Sequence, residues 1–421
     1  MPVKKSGVIP LLALSLLLCG MQFGMAQESE PIRIGVNVPL SGPYQKQGAD
    51  QKRAYELAAE RINGDGGVLG RQIELIVRDT EVDPQVAEKN ALEFIQDEDV
   101  DMVTGGSSSA VAIAQSDVCQ EHGVVFMAAL THSSATTGYD KTQTGFKSQK
   151  AHRHTFRWYF NNWMTKEALV PFLVEQFGND VSYFHITSDY IWGHTSQNAI
   201  QDGTGLKGAR TAGSVTAPLG ETDFSGQLQQ ARDSGADVLV LNLFGKDLVR
   251  VMEQIQQMGL TESFRIVAPL MELNIANAID NEVLQKTYST TNWYHGLSDR
   301  FDGTRDFVQS FSQEYGRPPG AAAATAWAAL QEWAKAVQRA GTTSSSQVIP
   351  ELEGHSFTLL KDTEKWRAWD HQAISSVFVV QGKSPGDMAN EWDVLKIVKS
   401  VPGEDVVRSK TENPVMLEVL E

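Results

Sequence analysis

The chain has 421 residues, of which 41% are apolar, with a formal net charge of −16 and two cysteines. Such a length exceeds what one hydrophobic core ordinarily organises, so two lobes are expected. So large an excess of acid argues against a nucleic-acid partner, and a single cysteine beyond the first 26 residues excludes a disulfide framework.

Lys4 and Lys5, an apolar stretch from Val8 to Leu18, and Gly24 and Ala26 ahead of Gln27 have the layout of a secretory signal (1–26) cleaved after Ala26. Cleavage removes two lysines and no acid, so −16 becomes −18. Cys19 offers the alternative of a lipoprotein anchor, against which stands Leu18, where lipidation signals resemble small residues. No later stretch reaches the roughly 18 apolar residues of a membrane span. The mature chain is therefore expected to be soluble outside the cytoplasm.

Ile32 to Val38 reads as a strand that ends in the tight Ser41-Gly42-Pro43 loop and opens a helix, a geometry that sets backbone amides beside a bound molecule. Ala54, Leu57, Ala58 and Ile62 share one face of that helix, and Gly64, Gly66 and Gly67 end it. A strand from Gln72 to Val77 follows. Asp83-Pro84 is an N-cap with proline in the first turn, opening a helix through Ile95. The alternation continues with a strand at 101–104, a helix from Ala110 to His122 and a strand from Val124 to Ala129. Further on come a strand from Val181 to Ile186 and a helix beginning near His194. Phe224 to Ser234 is helical, Asp237 to Phe244 a strand apolar at every position from Val238 to Leu241, and Leu248 to Ile255 helical before Gly259. Phe264 to Ala268 supplies another strand. Such alternation means parallel sheets. Gly341 to Ser346 has the composition of a short linker, and Cys119 that of a small buried hydrophobe.

Three constellations carry chemistry. Gly105-Gly106-Ser107-Ser108-Ser109 lies between a strand and a helix, where unpaired amides, the positive helix end and hydroxyls suit a carboxylate or carbonyl oxygen; alternatively the serines only cap the helix. Leu130 to Thr137 is a second hydroxyl-rich loop just past a strand end, the edge where open parallel sheets bind ligands. Trp192, Phe244, Trp293 and Tyr294 stand near strand ends and together make either core or an apolar wall for a ligand. The sequence has no Gly-x-Ser-x-Gly elbow, no phosphate-loop ending and no His-Glu-x-x-His. His152 and His154 lack further ligands and read as a solvated loop, so neither metal nor cofactor is expected.

Pro39 to Pro43, Asn63-Gly-Asp-Gly-Gly-Val-Leu-Gly70, Asp83-Pro84, the triple serine and the loop after Met127 together resemble the leucine/isoleucine/valine-binding proteins. These are type I periplasmic binding proteins, the receptors of branched-chain amino-acid ABC transporters. The likeness continues through Phe156-Arg157, Asp189 to Gly193, Ala268-Pro269 and Arg367 to Gln372. It implies an α/β fold of two Rossmann-like lobes with parallel sheets, joined by a three-crossing hinge and closing on a ligand. The crossings fall near 154–157, 286–291 and 355–360, which divides the chain into a first lobe of 27–154 plus 291–355 and a second of 156–286 plus 360–421.

The resemblance further implies that Ser107 with its neighbours Ser108 and Ser109, and Ser133 in the next loop, hold the ligand's carboxylate, and that Trp192 covers the ligand. Several positions depart from the family's pattern. Leu270 stands where those receptors carry the acid that receives the ammonium group, with Glu272 two residues on. Asn242-Leu243-Phe244 replaces a tyrosine-rich strand end, and Gln47 matches a first-loop tyrosine. Val82 and Gly106 match a pair of bridging cysteines. A periplasmic, non-catalytic, monomeric receptor for an amino acid or related small carboxylate is thus expected, with an ABC transporter permease as partner. The alternatives are a receptor of the same fold for amides, urea-like compounds or aromatic acids, and a secreted hydrolase using Ser107 or Ser108.

Overall fold

The computed structural model describes residues 1–4, 7, 30–138 and 150–420; the expected cleavage site and Cys19 lie outside them. Two large sheets organise the described residues. The first runs β2 (Ile73–Asp79), β1 (Ile32–Val38), β3 (Met102–Gly106), β4 (Val125–Ala129) and, after the short β5 (Lys150–Ala151), β6 (Thr155–Arg157), all parallel. Ile32, Ile34, Val36 and Val38 are fully buried because helices cover both faces. Against one face lie α1 (Gln45–Gly64) and, from much later in the chain, a 20-residue helix over Ala321–Ala340; against the other lie α2 (Pro84–Gln96) and α3 (Ser109–His122). Phe94, Val103, Ala112, Cys119 and Phe126 pack together on the α2/α3 side. Burial there pushes the Cys119 thiol up, as befits an inert core residue.

Capping explains where α2 starts: the Asp83 carboxylate accepts from the amides of Gln85 and Val86, with Pro84 in the first turn.

The second sheet has the order β16 (Leu395–Val401), β15 (Val377–Gly382), β11 (Thr287–Thr291), β10 (Arg265–Ala268), β9 (Val238–Asn242), β7 (Ser182–Ser188), β8 (Arg210–Ala217). Five strands are parallel, while β15 and β16 run antiparallel at one edge, a departure from the wholly parallel expectation. Helices α4 (Asn162–Phe177) and α5 (Ile191–Leu206) cover one face, with α6 (Ser225–Asp233) and α7 (Lys246–Gln257) beyond the strands they connect.

Between the sheets the chain passes three times. It leaves the first sheet after Arg157, leaves the second after Thr291, and returns through the small sheet of β12 (Ser356–Phe357), β13 (Glu364–Trp366) and β14 (Ala373–Ile374), entering β15 at Val377. This third passage comes later than the expected 355–360, because 356–372 stays beside the crossings, tied by Arg157 Nε to Gln372 Oε1 at 2.8 Å and by Phe156 stacked on His371. Lys361 is buried where all three meet. Its Nζ donates to the carbonyls of Asn292 at 2.7 Å and Ser376 at 2.8 Å, and lies 5.4 Å from the centre of the Trp158 ring.

Two smaller expectations change. Gly341 closes the Ala321–Ala340 helix in a left-handed cap and Ser345 begins the next helix, so 341–346 is a tight turn between helices rather than a linker. His152 and His154 are not a solvated loop. His152 bridges Asp117 at 2.6 Å and Glu418 at 2.8 Å, pinning the tail strand β17 (Met416–Leu417) that pairs with β5, and His154 is buried against Gln120.

Candidate functional site

The carboxyl ends of both sheets face each other. On the first lobe, β3 ends in Gly105, Gly106 and Ser107 at φ 118°, 119° and 64°. A Cβ on Gly105 would stand 2.1 Å from the Asn37 carbonyl, so glycine is required where β3 passes β1. This left-handed run turns the chain sharply into α3, whose first amides have no intrahelical acceptor and carry the positive end of the helix dipole. Ser108 occupies the N-cap but makes no side-chain cap bond, so simple capping does not account for the serines. Instead Ser107 Oγ donates to Gln51 Oε1 at 2.6 Å, and Ser109 Oγ accepts from the amide of Ser133 at 3.0 Å. The two hydroxyl-rich loops therefore converge, as the parallel pairing of β3 with β4 requires.

The second lobe meets this surface with the start of α5. Thr195 Oγ1 donates to Ser133 Oγ at 3.1 Å, and Trp192 Nε1 donates to His132 Nδ1 at 3.0 Å. Because Nδ1 accepts, the His132 proton sits on Nε2, which donates to Thr165 Oγ1 at 2.9 Å. Burial, helped by the Arg157 charge, holds this imidazole well below its usual pKa, hence neutral.

Trp192 also packs edge-on against Phe244, which packs edge-on against Tyr44 of the first lobe; the Tyr44 and Tyr190 hydroxyls meet at 2.7 Å across the junction. At Gly245, φ 61°, a Cβ would come within 2.6 Å of the Pro43 carbonyl. The lobes are closed on one another. Beside this contact a cavity of about 270 Å³ opens between α1 and α7, lined by Lys46, Gln47, Lys246 and Asn274.

Glu272 caps a short helical turn after β10, its Oε2 accepting from the Asn274 amide at 2.8 Å. Its side chain is buried at the junction, and Oε1 has no protein partner. Gln47 leans toward the carboxyl, and Gly320 of the first lobe makes room for it, since a Cβ there would lie 1.8 Å from Oε1. Asn274 Nδ2 reaches across to Asp50 Oδ2 at 2.6 Å, and Asp50 pairs with Arg317 and Arg53. Burial pushes the Glu272 carboxyl up to about 7, the Asp50 charge adding to it against the Asn274 amide, Arg317 and Gln47.

Ser107, Ser108, Ser109, Ser133, Gln47, Trp192, Phe244 and Glu272 are thus gathered at the interlobe junction. Asn242 is not: its amide is spent inside the second lobe on Ser196, His185 and Thr187. Nor is Trp293, which donates to Thr304 within the first lobe's packing, while Tyr294 lies beside His295 and meets the Trp392 carbonyl of the second lobe rather than the serine loops. Tyr44, Tyr190, His132, Thr195, Asp50 and Asn274 belong to the junction without having been expected. His132, inside the hydroxyl-rich loop, Tyr190, inside the Asp189 to Gly193 motif, and Thr195, one turn after Trp192, had a signal in the sequence. Among the described residues no cluster of three His, Cys, Asp or Glu side chains is arranged for a metal, and no helix is long and apolar enough to cross a membrane.

A family model described as periplasmic binding protein matches residues 31–387, most of the chain. The chain belongs to the periplasmic binding protein family. A Leu/Ile/Val-binding protein homolog 7 of Brucella abortus (strain 2308) is 27% identical over 316 residues, 73% of this chain and 76% of the relative. A periplasmic binding protein from Burkholderia mallei superposes with a TM-score of 0.83 at 25% identity, covering 91% of this chain and 98% of that one. A solute-binding protein of an ABC transporter from Rhodopseudomonas palustris BisB5, in complex with 3,4-dihydroxybenzoic acid, superposes with a TM-score of 0.77 at 17% identity over 89% of this chain and 98% of its own. Two α/β lobes meeting at their strand ends are the architecture of such a solute receptor, as the quoted motifs implied.

Proposed function

We propose that this chain is a periplasmic receptor of an ABC importer that encloses an amino acid or a related small carboxylate between its lobes and hands it, unaltered, to a membrane permease. The observation that carries this reading is the convergence of α3's free amide end with the Ser109–Ser133 loop pair, directly under Trp192 and Thr195 of the other lobe. In this reading Ser107, Ser108, Ser109 and Ser133 hold the carboxylate, and Trp192 and Phe244 wall the side chain. Gln47 and Glu272, whose Oε1 has no hydrogen-bond partner, receive an ammonium group. Charge-assisted bonds of this kind contribute about 1.5–3 kcal/mol each. A few of them, with one buried side chain, reach the roughly −8 kcal/mol of micromolar binding after ordering costs.

The secretory leader at 1–26, a monomeric state and the division into a first lobe of 27–154 plus 291–355 and a second of 156–286 plus 360–421 belong to the same reading, with the third boundary moved to 372–377 on the path of the chain. Absence of catalysis is supported by His132, which is neutral but hydrogen-bonded to Trp192 and Thr165 rather than to a serine. Changing Ser107 and Ser133 together to alanine is expected to abolish the thermal stabilisation given by leucine; an unchanged shift overturns the site.

A second reading, a receptor for aromatic acids, is favoured by Tyr44, Tyr190, Trp192 and Phe244 around one junction and by the dihydroxybenzoate-bound receptor of the same fold. Calorimetry with leucine and with benzoate separates the two.

A further inference from the structure

Glu272 is a buried acid whose neighbours are divided between the lobes and whose Oε1 has no hydrogen-bond partner among the described residues. It belongs to the second lobe, yet what surrounds it comes largely from the first. From α1 it faces Gln47 and the Asp50 carboxylate, and from the segment before the Ala321–Ala340 helix it faces Arg317 and the bare backbone of Gly320. From the first crossing it faces the Tyr159 hydroxyl, which is buried and without a partner. Within its own turn it has only the Asn274 amide. Arg317 and Arg53 both pair with Asp50, and of the two only Arg317 also acts on Glu272, so Glu272 has no cation paired directly with it among the described residues. Closing the lobes therefore brings a second carboxyl into a dry space that already holds one, which is unfavourable unless a positive charge comes with it.

We infer that Glu272 and Asp50 make lobe closure charge-coupled: the solvent supplies a proton to Glu272 when the cleft is empty or holds an anion, and the ligand supplies the charge itself when it carries an ammonium group. The ligand half rests on the receptor reading above; the empty-cleft half does not. The balance is simple. Closing without an ammonium takes up one proton from bulk water on the Glu272 carboxylate, and opening returns it.

The sign follows from the acid being weaker in the closed form. Swung open, Glu272 meets water and titrates near the ordinary 4.5; closed, it titrates near 7. Closure is unhindered below the first value, weakens through the interval and levels off above the second. Each unit between them is a tenfold change in the closing equilibrium, so the full swing exceeds about tenfold.

The test begins without ligand. Small-angle X-ray scattering of the mature protein between pH 5 and pH 8.5 is expected to give a radius of gyration that grows with pH. Glu272→Gln, a neutral isostere, is expected to stay compact throughout. Asp50→Asn, which removes the facing charge, is expected to shrink the response and serves also if the glutamine variant does not fold. A wild type that does not change, or variants that follow it unchanged, overturns the inference. Calorimetry then adds a matched pair. Affinity for 4-methylpentanoate is expected to fall more than about tenfold from pH 5 to pH 8, and that for leucine to stay nearly level. Parallel pH profiles for the two overturn the ligand half. If neither binds, the ligand class proposed for the receptor fails, while the scattering result still decides the empty-cleft half.

Discussion

His185 shows how a single side chain can tune stability from inside a lobe. It stands in the middle of β7, fully buried, with Nδ1 accepting from Asn242 at 3.2 Å and Nε2 unpartnered, and burial pushes its pKa down to about 3. The unfolded chain binds this proton near 6.5 and the folded one does not, so stability is lost as pH falls below 6.5. Between pH 7.5 and pH 5, urea unfolding is expected to show the wild type losing about 2 kcal/mol more than His185→Gln. Equal losses would place the acid sensitivity elsewhere. The same residue explains why the Asn242 amide points away from the junction. Its position at the end of an apolar strand is legible, but pairing opposite Thr187 turns its amide toward α5 and His185, and that register is a property of two distant strands. Glu272, by contrast, could be named from its distance to Pro269, though not its confinement, which depends on Gly320 nearly fifty residues later.

At the level of elements, helices and parallel strands were largely visible because each announces itself by spacing and punctuation. α2 begins at the expected Asp83-Pro84, and the glycines after α1 stop it where they stand. The antiparallel β15 and β16 were invisible for the opposite reason: their partner is β11, and local pattern does not specify strand direction. The junction between lobes is likewise a matter of elements meeting. Gly245, at the N-cap of α7, touches the Pro43 carbonyl and the Tyr44 ring. Gly245→Ala is expected to leave each lobe folded but to lower the ligand-free melting temperature by roughly a few degrees, since φ 61° with ψ −136° strains an alanine whether or not the lobes meet. Ligand affinity should drop by about tenfold or more, because a methyl at 2.6 Å from a carbonyl must push the halves apart. Wild-type affinity in this variant would mean that the contact is dispensable for closure.

For the whole molecule, the two-lobed plan, its parallel sheets and the convergence of the serine loops were readable from ordered motifs, whereas the closed interface was not. Tyr44 to Tyr190, Ser133 to Thr195 and Asp50 to Asn274 join residues between 62 and 224 positions apart, and no spacing rule spans such distances. The motion these contacts govern turns on the crossings. Lys361→Met keeps the stem that fills the space among Trp158 and Phe378 but drops both carbonyl ties. It is expected to broaden the distribution of lobe-to-lobe distances in double electron–electron resonance, without shifting which pairs of residues meet on closing. An unchanged width would show that the strands alone set the swing.

One amino group thus ties the backbones of two crossings together beside a ring of the third. Twisting either of those two strands pulls on the other through the same nitrogen, which couples their movement at the hinge. A capture event sensed at the far rim of the jaw is then delivered to the outer surface as one reproducible change of posture.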